Sequence, residues 1–233
     1  MSTALTAFLQ KANVPVLSDD ALADAIEQGQ QETGAHGQIG EGVRFLSFSG
    51  KTGRYALGKN KDDMDPEDTY LVEPMSLLAG WVCWKGGKPV ERLEWSFFGG
   101  RAIAEEDLKD HGPYNTKAGE GWADLLGFGC LSLDGEDVNV KFSSNTVSAK
   151  NAMSDLIEEI KSRSRRREPA LPLIHFDKEQ FEAQGQTNYK PKFVVETWVT
   201  RDQASLFFEG IFSADDLLEG KNPTKAQLKK LDA

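Results

Sequence analysis

The side chains of this chain with the types and spacing to do chemistry are aromatic and basic residues interleaved on strand-like segments. Phe45, Phe48 and Tyr55 lie among Arg44, Lys51 and Arg54; Trp81, Trp84 and Trp95 among Lys85, Lys88 and Arg92; Tyr189 stands beside Lys190 and Lys192. An aromatic ring stacks on a nucleobase of any identity for about 1–3 kcal/mol per base, and flanking cations track the phosphate backbone. The combination predicts a surface for single-stranded nucleic acid, with Arg44, Lys51, Arg54, Tyr55, Trp84, Lys85, Lys88, Tyr189, Lys190 and Lys192 as its contacts. Arg163, Arg165, Arg166 and Arg167 follow a helical pattern and are expected to be mobile and to add long-range attraction. Trp84, beside Lys85 at a Gly86-Gly87 turn, is the ring expected to stay partly exposed. Trp198, near the end of the most apolar strand, is expected in the core. Each residue taken singly also has a plainer use, as a packed ring, a turn or a solvated charge.

Other chemistries do not fit the spacing. Gly50-Lys51-Thr52 resembles part of a phosphate loop, but Phe45 stands where the loop needs its first glycine, and the following Arg54-Tyr55-Ala56-Leu57 reads as strand rather than helix. The run Lys61-Asp62-Asp63-Met64-Asp65-Pro66-Glu67-Asp68 alternates carboxylates as a calcium loop does. It has Asp68 in place of the required glycine and Pro74 in place of the closing glutamate, so it reads as a solvated loop. His36, His111 and His175 lack Cys or His neighbours at ligand spacing, and no Gly-x-Ser-x-Gly elbow occurs. The expectation is therefore a non-enzymatic protein with no catalytic residues, no metal site and no cofactor.

The chain has 233 residues and a formal net charge of −10. That balance argues against uniform coating of nucleic acid or binding to an anionic membrane, while uneven charge leaves room for a local basic groove. The apolar runs are too short to span a bilayer, and the start Met1-Ser2-Thr3-Ala4-Leu5 lacks the pattern of a secretory signal, which predicts a cytoplasmic protein. Cys83 and Cys130 sit in apolar strand contexts, where reduced buried thiols are expected.

The elements that must position these side chains are mainly strands. Residues 1–40, rich in Gly and Gln after a short helical stretch, read as a flexible arm. Residues 41–212 read as the nucleic-acid-binding domain, and 213–233 as a helical C-terminal tail. Within the domain, 43–48 and 54–57 form a hairpin and 70–73 a strand. Two β-prone runs flank Lys85-Gly86-Gly87-Lys88, 99–121 is a long excursion, and 125–133 and 138–142 are strands joined at Asp134-Gly135-Glu136-Asp137. Ala149, Ala152, Met153, Leu156, Ile157 and Ile160 recur at the spacing of one buried helix face, with Ser144-Asn145 as the cap. Strands at 171–176 and 193–199 follow, separated by a loop at 183–188. A mainly β chain with one or two helices, one of them just before the last strands, fits a small oligonucleotide-binding (OB) Greek-key barrel with extra hairpins, with a β-sandwich as the alternative.

The segments Phe45-Leu46-Ser47-Phe48-Ser49-Gly50-Lys51-Thr52-Gly53-Arg54-Tyr55, Gly80-Trp81-Val82-Cys83-Trp84-Lys85-Gly86-Gly87-Lys88-Pro89-Val90 and Tyr189-Lys190-Pro191-Lys192-Phe193-Val194-Val195-Glu196-Thr197-Trp198 resemble a group of tailed-bacteriophage single-stranded DNA-binding proteins of the OB fold. The resemblance spans about residues 41–200. It implies single-stranded DNA as partner, phage or host replication proteins as further partners, and a role in replication or recombination of a phage genome in the host cytoplasm. Many such proteins end in an acidic recruiting tail, whereas the last residues here are Gln227-Leu228-Lys229-Lys230-Leu231-Asp232-Ala233, so the resemblance does not extend to recruitment through the C-terminus. Two other classes suit the same composition: a phage virion or tail structural protein with its aromatics at subunit contacts, and a small nuclease or an acidic nuclease inhibitor.

Overall fold

A computed structural model describes residues 43–58, 60–65, 67–133, 139–183 and 185–231. The expected arm at 1–40 and the turn at 134–137 lie outside the described residues. Among the described residues nine strands build one mixed sheet: β1 (Val43–Ser49), β2 (Arg54–Leu57), β3 (Asp62–Asp63), β4 (Tyr70–Lys85), β5 (Lys88–Ser96), β6 (Gly121–Ser132), β7 (Asn139–Ser144), β8 (Leu171–Ala183) and β9 (Gln186–Val199). Their order is β3-β2-β1-β7-β6-β4-β8-β9, with β5 paired to β4 off that path. Every pairing is antiparallel except β1 with β7. The parallel pair joins residues almost a hundred positions apart in sequence, a distance over which local pattern carries no signal.

The sheet is open but strongly curled. Its two outer regions meet where Tyr189 N–H donates to the Gly50 carbonyl (2.8 Å) and the Tyr55 hydroxyl donates to the Asp177 carbonyl (2.7 Å). Gly53, at φ 65, permits this approach, because a Cβ there would run into the Tyr189 ring and the Lys178 side chain. The strand β4 bends midway: its register against β6 shifts between Glu73 and Leu78, around Pro74, which cannot donate to a ladder. Its first residues pair with β8 and its last with β5 along the same edge.

Helix α1 (Val147–Arg165) buries Ala149, Met153, Leu156, Ile157 and Ile160, the expected face, within the same apolar cluster as Phe128, Phe142 and Phe176. Phe193 packs on that cluster, its ring edge-on to those of Phe128, Phe142 and Phe176 at 5.3–5.7 Å between centroids. The helix begins one position after the expected cap, at Thr146, whose side chain makes no capping bond; the Ser144 hydroxyl accepts from Thr146 N–H instead (3.2 Å). It ends where Arg167 turns left-handed (φ 57), two residues before Pro169.

A second apolar cluster joins Leu71, Leu133, Leu171, Leu173 and Val199 to three short helices, α2 (Arg201–Phe208), α3 (Ala214–Leu218) and α4 (Lys225–Leu231). Leu217 is fully buried there, and Leu228 and Leu231 pack against it, so the segment expected as a tail is seated on the sheet. The expected loop at 183–188 is instead a hairpin: β8 and β9 remain paired out to Ala183 and Gln186. The solvated loop expected at 61–68 contributes β3, paired to β2.

Candidate nucleic-acid interface

The structure distributes the expected contacts over separate places and neutralises many of the cations. Arg44 pairs with Asp62 (2.7 Å), and Arg54 pairs with Asp63 while donating to the Lys61 carbonyl (3.1 Å). The acidic run that reads as an independent loop is thus the counter-charge of the basic hairpin preceding it. Lys190 pairs with Glu179 (2.9 Å) and Lys192 with Asp177 (3.3 Å) across β8 and β9. Lys85 donates to the carbonyls of His111 and Gly112 and so ties the excursion at 99–121 to the hairpin tip. Lys51 and Lys88 are exposed and have no ion-pair partner among the described residues.

Tyr55 departs from its expected place on the surface. It is buried, its ring 4.7 Å from Phe48 and 5.4 Å from Phe176, and burial pushes its pKa well above the ordinary phenol range. A hairpin strand alternates faces, and β2 turns Tyr55 and Leu57 into the core. The tryptophan hairpin is closed over at Trp95 and half-open at Trp84, the ring expected to stay partly exposed. Trp95 is buried, Trp81 donates to the Ile103 carbonyl (2.8 Å), and Trp84 is half-buried with an indole N–H that is sealed from solvent and unpaired. Trp198 is half-buried rather than enclosed, and Arg163 lies over its ring at 4.4 Å.

The arginine run also differs from the mobile segment expected. Arg163 and Arg165 belong to α1; Arg163 pairs with Glu159 (3.0 Å), and Arg166 donates to Ser162 and Glu168 (2.7 and 3.0 Å). Arg165 and Arg167 are engaged as well. The carboxylates beside these arginines turn the run into a helix terminus held by ion pairs.

One cluster assembles what the sequence scatters. Phe45 on β1, Lys141 and Ser143 on β7, and Arg92 and Glu94 on β5 lie on the sheet face opposite the aromatic core. The Glu94 carboxylate bridges Arg92 (2.6 Å) and Lys141, and Arg92 also donates to the Ser143 hydroxyl. For β5 to reach β7 across β4 and β6, the sheet must curl tightly, and glycines stand where it does. A Cβ at Gly80 would strike the Leu93 carbonyl, and one at Gly127 would lie 2.6 Å from the Ser143 Cβ. Burial raises the Glu94 pKa, but Lys141 and Arg92 together outweigh it and hold the carboxyl below its ordinary range. Burial lowers the Lys141 pKa, and Glu94 opposes that only in part. Phe45 covers the pair, its ring centroid 5.7 Å from the Lys141 ammonium and 6.0 Å from the Arg92 guanidinium, and is itself 38% exposed.

Phe45 and Arg92 belong to the aromatic and basic set but not to the expected contacts, and Lys141 belongs to neither. The available signal is that Lys141 is the one cation in the apolar strand 138–142, where a charge without a partner is costly. Among the described residues no group of three or more His, Cys, Asp or Glu could hold a metal ion, both cysteines are free and buried, and no helix is long and apolar enough to cross a membrane. Compared with known proteins, the chain matches no family model, no curated protein and no solved structure.

Proposed function

We propose that this protein binds single-stranded DNA without catalysing a reaction, through an OB-like barrel opened at one seam. The connectivity of five strands carries the reading. β4, β6, β7, β8 and β9, taken in chain order, lie in the sheet as β7-β6-β4-β8-β9; α1 falls between the third and fourth of them, and the first, β4, pairs with both the second and the fourth. A Greek-key OB barrel has this arrangement, and it binds oligonucleotides on the face of its second and third strands, between the loops joining strands one to two and four to five. Here those strands are β6 and β7. The loops correspond to 86–120, which contains β5, and to the β8–β9 turn. In this reading β1 with β2 fills the seam between the third and fifth strands, which accounts for the parallel pairing of β1 to β7.

Aromatic and cationic side chains on and beside the β6–β7 face, namely Phe45, Lys141 and Arg92, support the assignment, with Lys51, Lys88, Trp84 and Tyr189 on the flanking hairpins. By the resemblance noted above, the setting is replication or recombination of a phage genome. The test is a fluorescence-anisotropy titration with single- and double-stranded oligonucleotides of one sequence at several salt concentrations. Single strands should bind more tightly, with affinity falling as salt rises because phosphate-bound counterions are released. Equal affinity for both forms, or none at low salt, overturns the proposal. Discrete particles formed without nucleic acid would point to the virion role, and metal-dependent cleavage to a nuclease.

A further inference from the structure

We infer that the Phe45–Arg92–Lys141 cluster is a one-nucleotide subsite, in which the exposed Phe45 ring stacks a base and the outer edge of the Arg92 guanidinium holds the adjoining phosphate. The inference rests on the single-strand reading and assigns its central contact. Three observations carry it. The Phe45 ring is one of few large apolar side chains left exposed among the described residues, and two cations lie against it. The Arg92 side chain is 35% exposed and is oriented through Nε to Glu94 and through one terminal nitrogen to Ser143, while its Nη1 has no partner among the described residues. The cluster of Arg92, Lys141 and Glu94 carries one net positive charge in a chain of −10, so an anion approaching this face meets attraction that the chain as a whole does not offer.

Glu94 is the positioning residue. Held below the ordinary carboxylate range by its two cations, it stays ionised and fixes the Arg92 fork at the rim of the ring. A guanidinium already held by two bonds loses less freedom on meeting a phosphate than a mobile lysine does. The apolar ring supplies the sequence-tolerant part of the contact, since every base has a stacking face.

The experiment uses the full chain and a 5-iodouracil-substituted oligo(dT). Photocrosslinking followed by peptide mass spectrometry should place the crosslink on Phe45. Phe45→Ala should weaken oligo(dT) binding about tenfold, the loss of one stacking contact, while Phe45→Trp retains it. Should the alanine variant fail to fold, Phe45→Leu keeps the apolar bulk without the aromatic face and should show the same loss. Parent-like affinity of a folded Phe45→Ala or Phe45→Leu variant, with crosslinks only elsewhere, overturns the subsite and leaves the broader reading standing. Failure of the parent protein to bind any single strand removes both.

Discussion

Two buried carboxylates on the same sheet, Glu73 and Glu94, are treated in opposite ways. Glu73 is fully buried; it accepts both terminal nitrogens of Arg201 at 3.0 and 3.1 Å and the Met75 N–H at 2.9 Å. The Arg201 side chain is only 15% exposed and its Nε is sealed from solvent, so that pair is largely closed. Its position accounts for it: Glu73 precedes Pro74 at the break in β4, and Arg201 opens α2, so the pair rivets the helical cap to the point where the strand loses its ladder. Glu94 is almost as buried, yet one of its two cations reaches the surface beside an exposed ring. The carboxylate chemistry is the same in both. What differs is whether a cation keeps an unsatisfied edge toward solvent, and that separates a device of the fold from a candidate for recognition.

The largest effect should come from breaking the closed pair. Glu73→Gln removes the buried carboxylate that holds both terminal nitrogens of Arg201 and should cost about 3–5 kcal/mol of unfolding free energy, read from chemical denaturation. Replacing Glu73 and Arg201 together with apolar residues of similar volume should recover most of that loss, since a buried ion pair is seldom worth more than good packing. A double variant as unstable as Glu73→Gln would show that the pair does more than fasten the cap.

At the open cluster the same substitution should cost less and add a dependence on pH. Glu94→Gln should destabilise by about 2–3 kcal/mol, because water reaches Arg92 and relieves part of the uncompensated charge. The Glu94 pKa is lowered on folding, so its contribution is complete above the ordinary carboxylate value of about 4.3 and is lost as pH falls through the lower folded value. Denaturation midpoints followed from neutral pH into acid should therefore fall more steeply for the parent than for Glu94→Gln. Parallel curves would mean that Lys141 and Arg92 do not hold the carboxyl down.

How much of this was legible in the sequence follows from the range of each interaction. The apolar face of α1 and the β1–β2 and β4–β5 hairpins are local patterns, and each falls within a few residues of its expected place. Helix α2 lies outside the expected elements although its start is written plainly: Thr200-Arg201-Asp202-Gln203 is a capping box, with the Gln203 N–H donating to the Thr200 hydroxyl (3.2 Å) and the Gln203 side chain accepting from Thr200 N–H (2.7 Å). The outer part of the β8–β9 hairpin lies beyond the expected strands, which stop at 176 and start again at 193, because Lys178, Glu179, Gln180 and Glu182 are polar and exposed where the strands run out past the core. The open cluster was beyond local reading, since Phe45, Arg92 and Lys141 meet only once β5 folds over the glycines of β4 and β6. Counter-charges are equally non-local for Lys190 and Lys192, and a list of basic residues does not reveal that Glu179 and Asp177 face them.

The smallest effect sharpens the comparison from a third cation. Arg163 also lies over an aromatic ring, Trp198, and at 4.4 Å it is closer than Arg92 is to Phe45. If a cation near a ring were enough to define a binding contact, Arg163 would be the better candidate. It is instead committed, paired with Glu159 and near Glu168 at 3.6 Å, on a helix that packs against β9. Arg163→Gln should therefore cost about 1 kcal/mol of stability, the sum of a partly exposed cation–ring contact and a surface ion pair. It should leave both the affinity for single strands and the slope of that affinity with salt at parent values. On the proposed single-strand reading, Arg92→Gln should do the reverse, lowering affinity and reducing the salt slope by about one phosphate contact. An Arg163 variant with a shallower salt slope would place the helix terminus, rather than the Phe45 cluster, on the path of the nucleic-acid backbone.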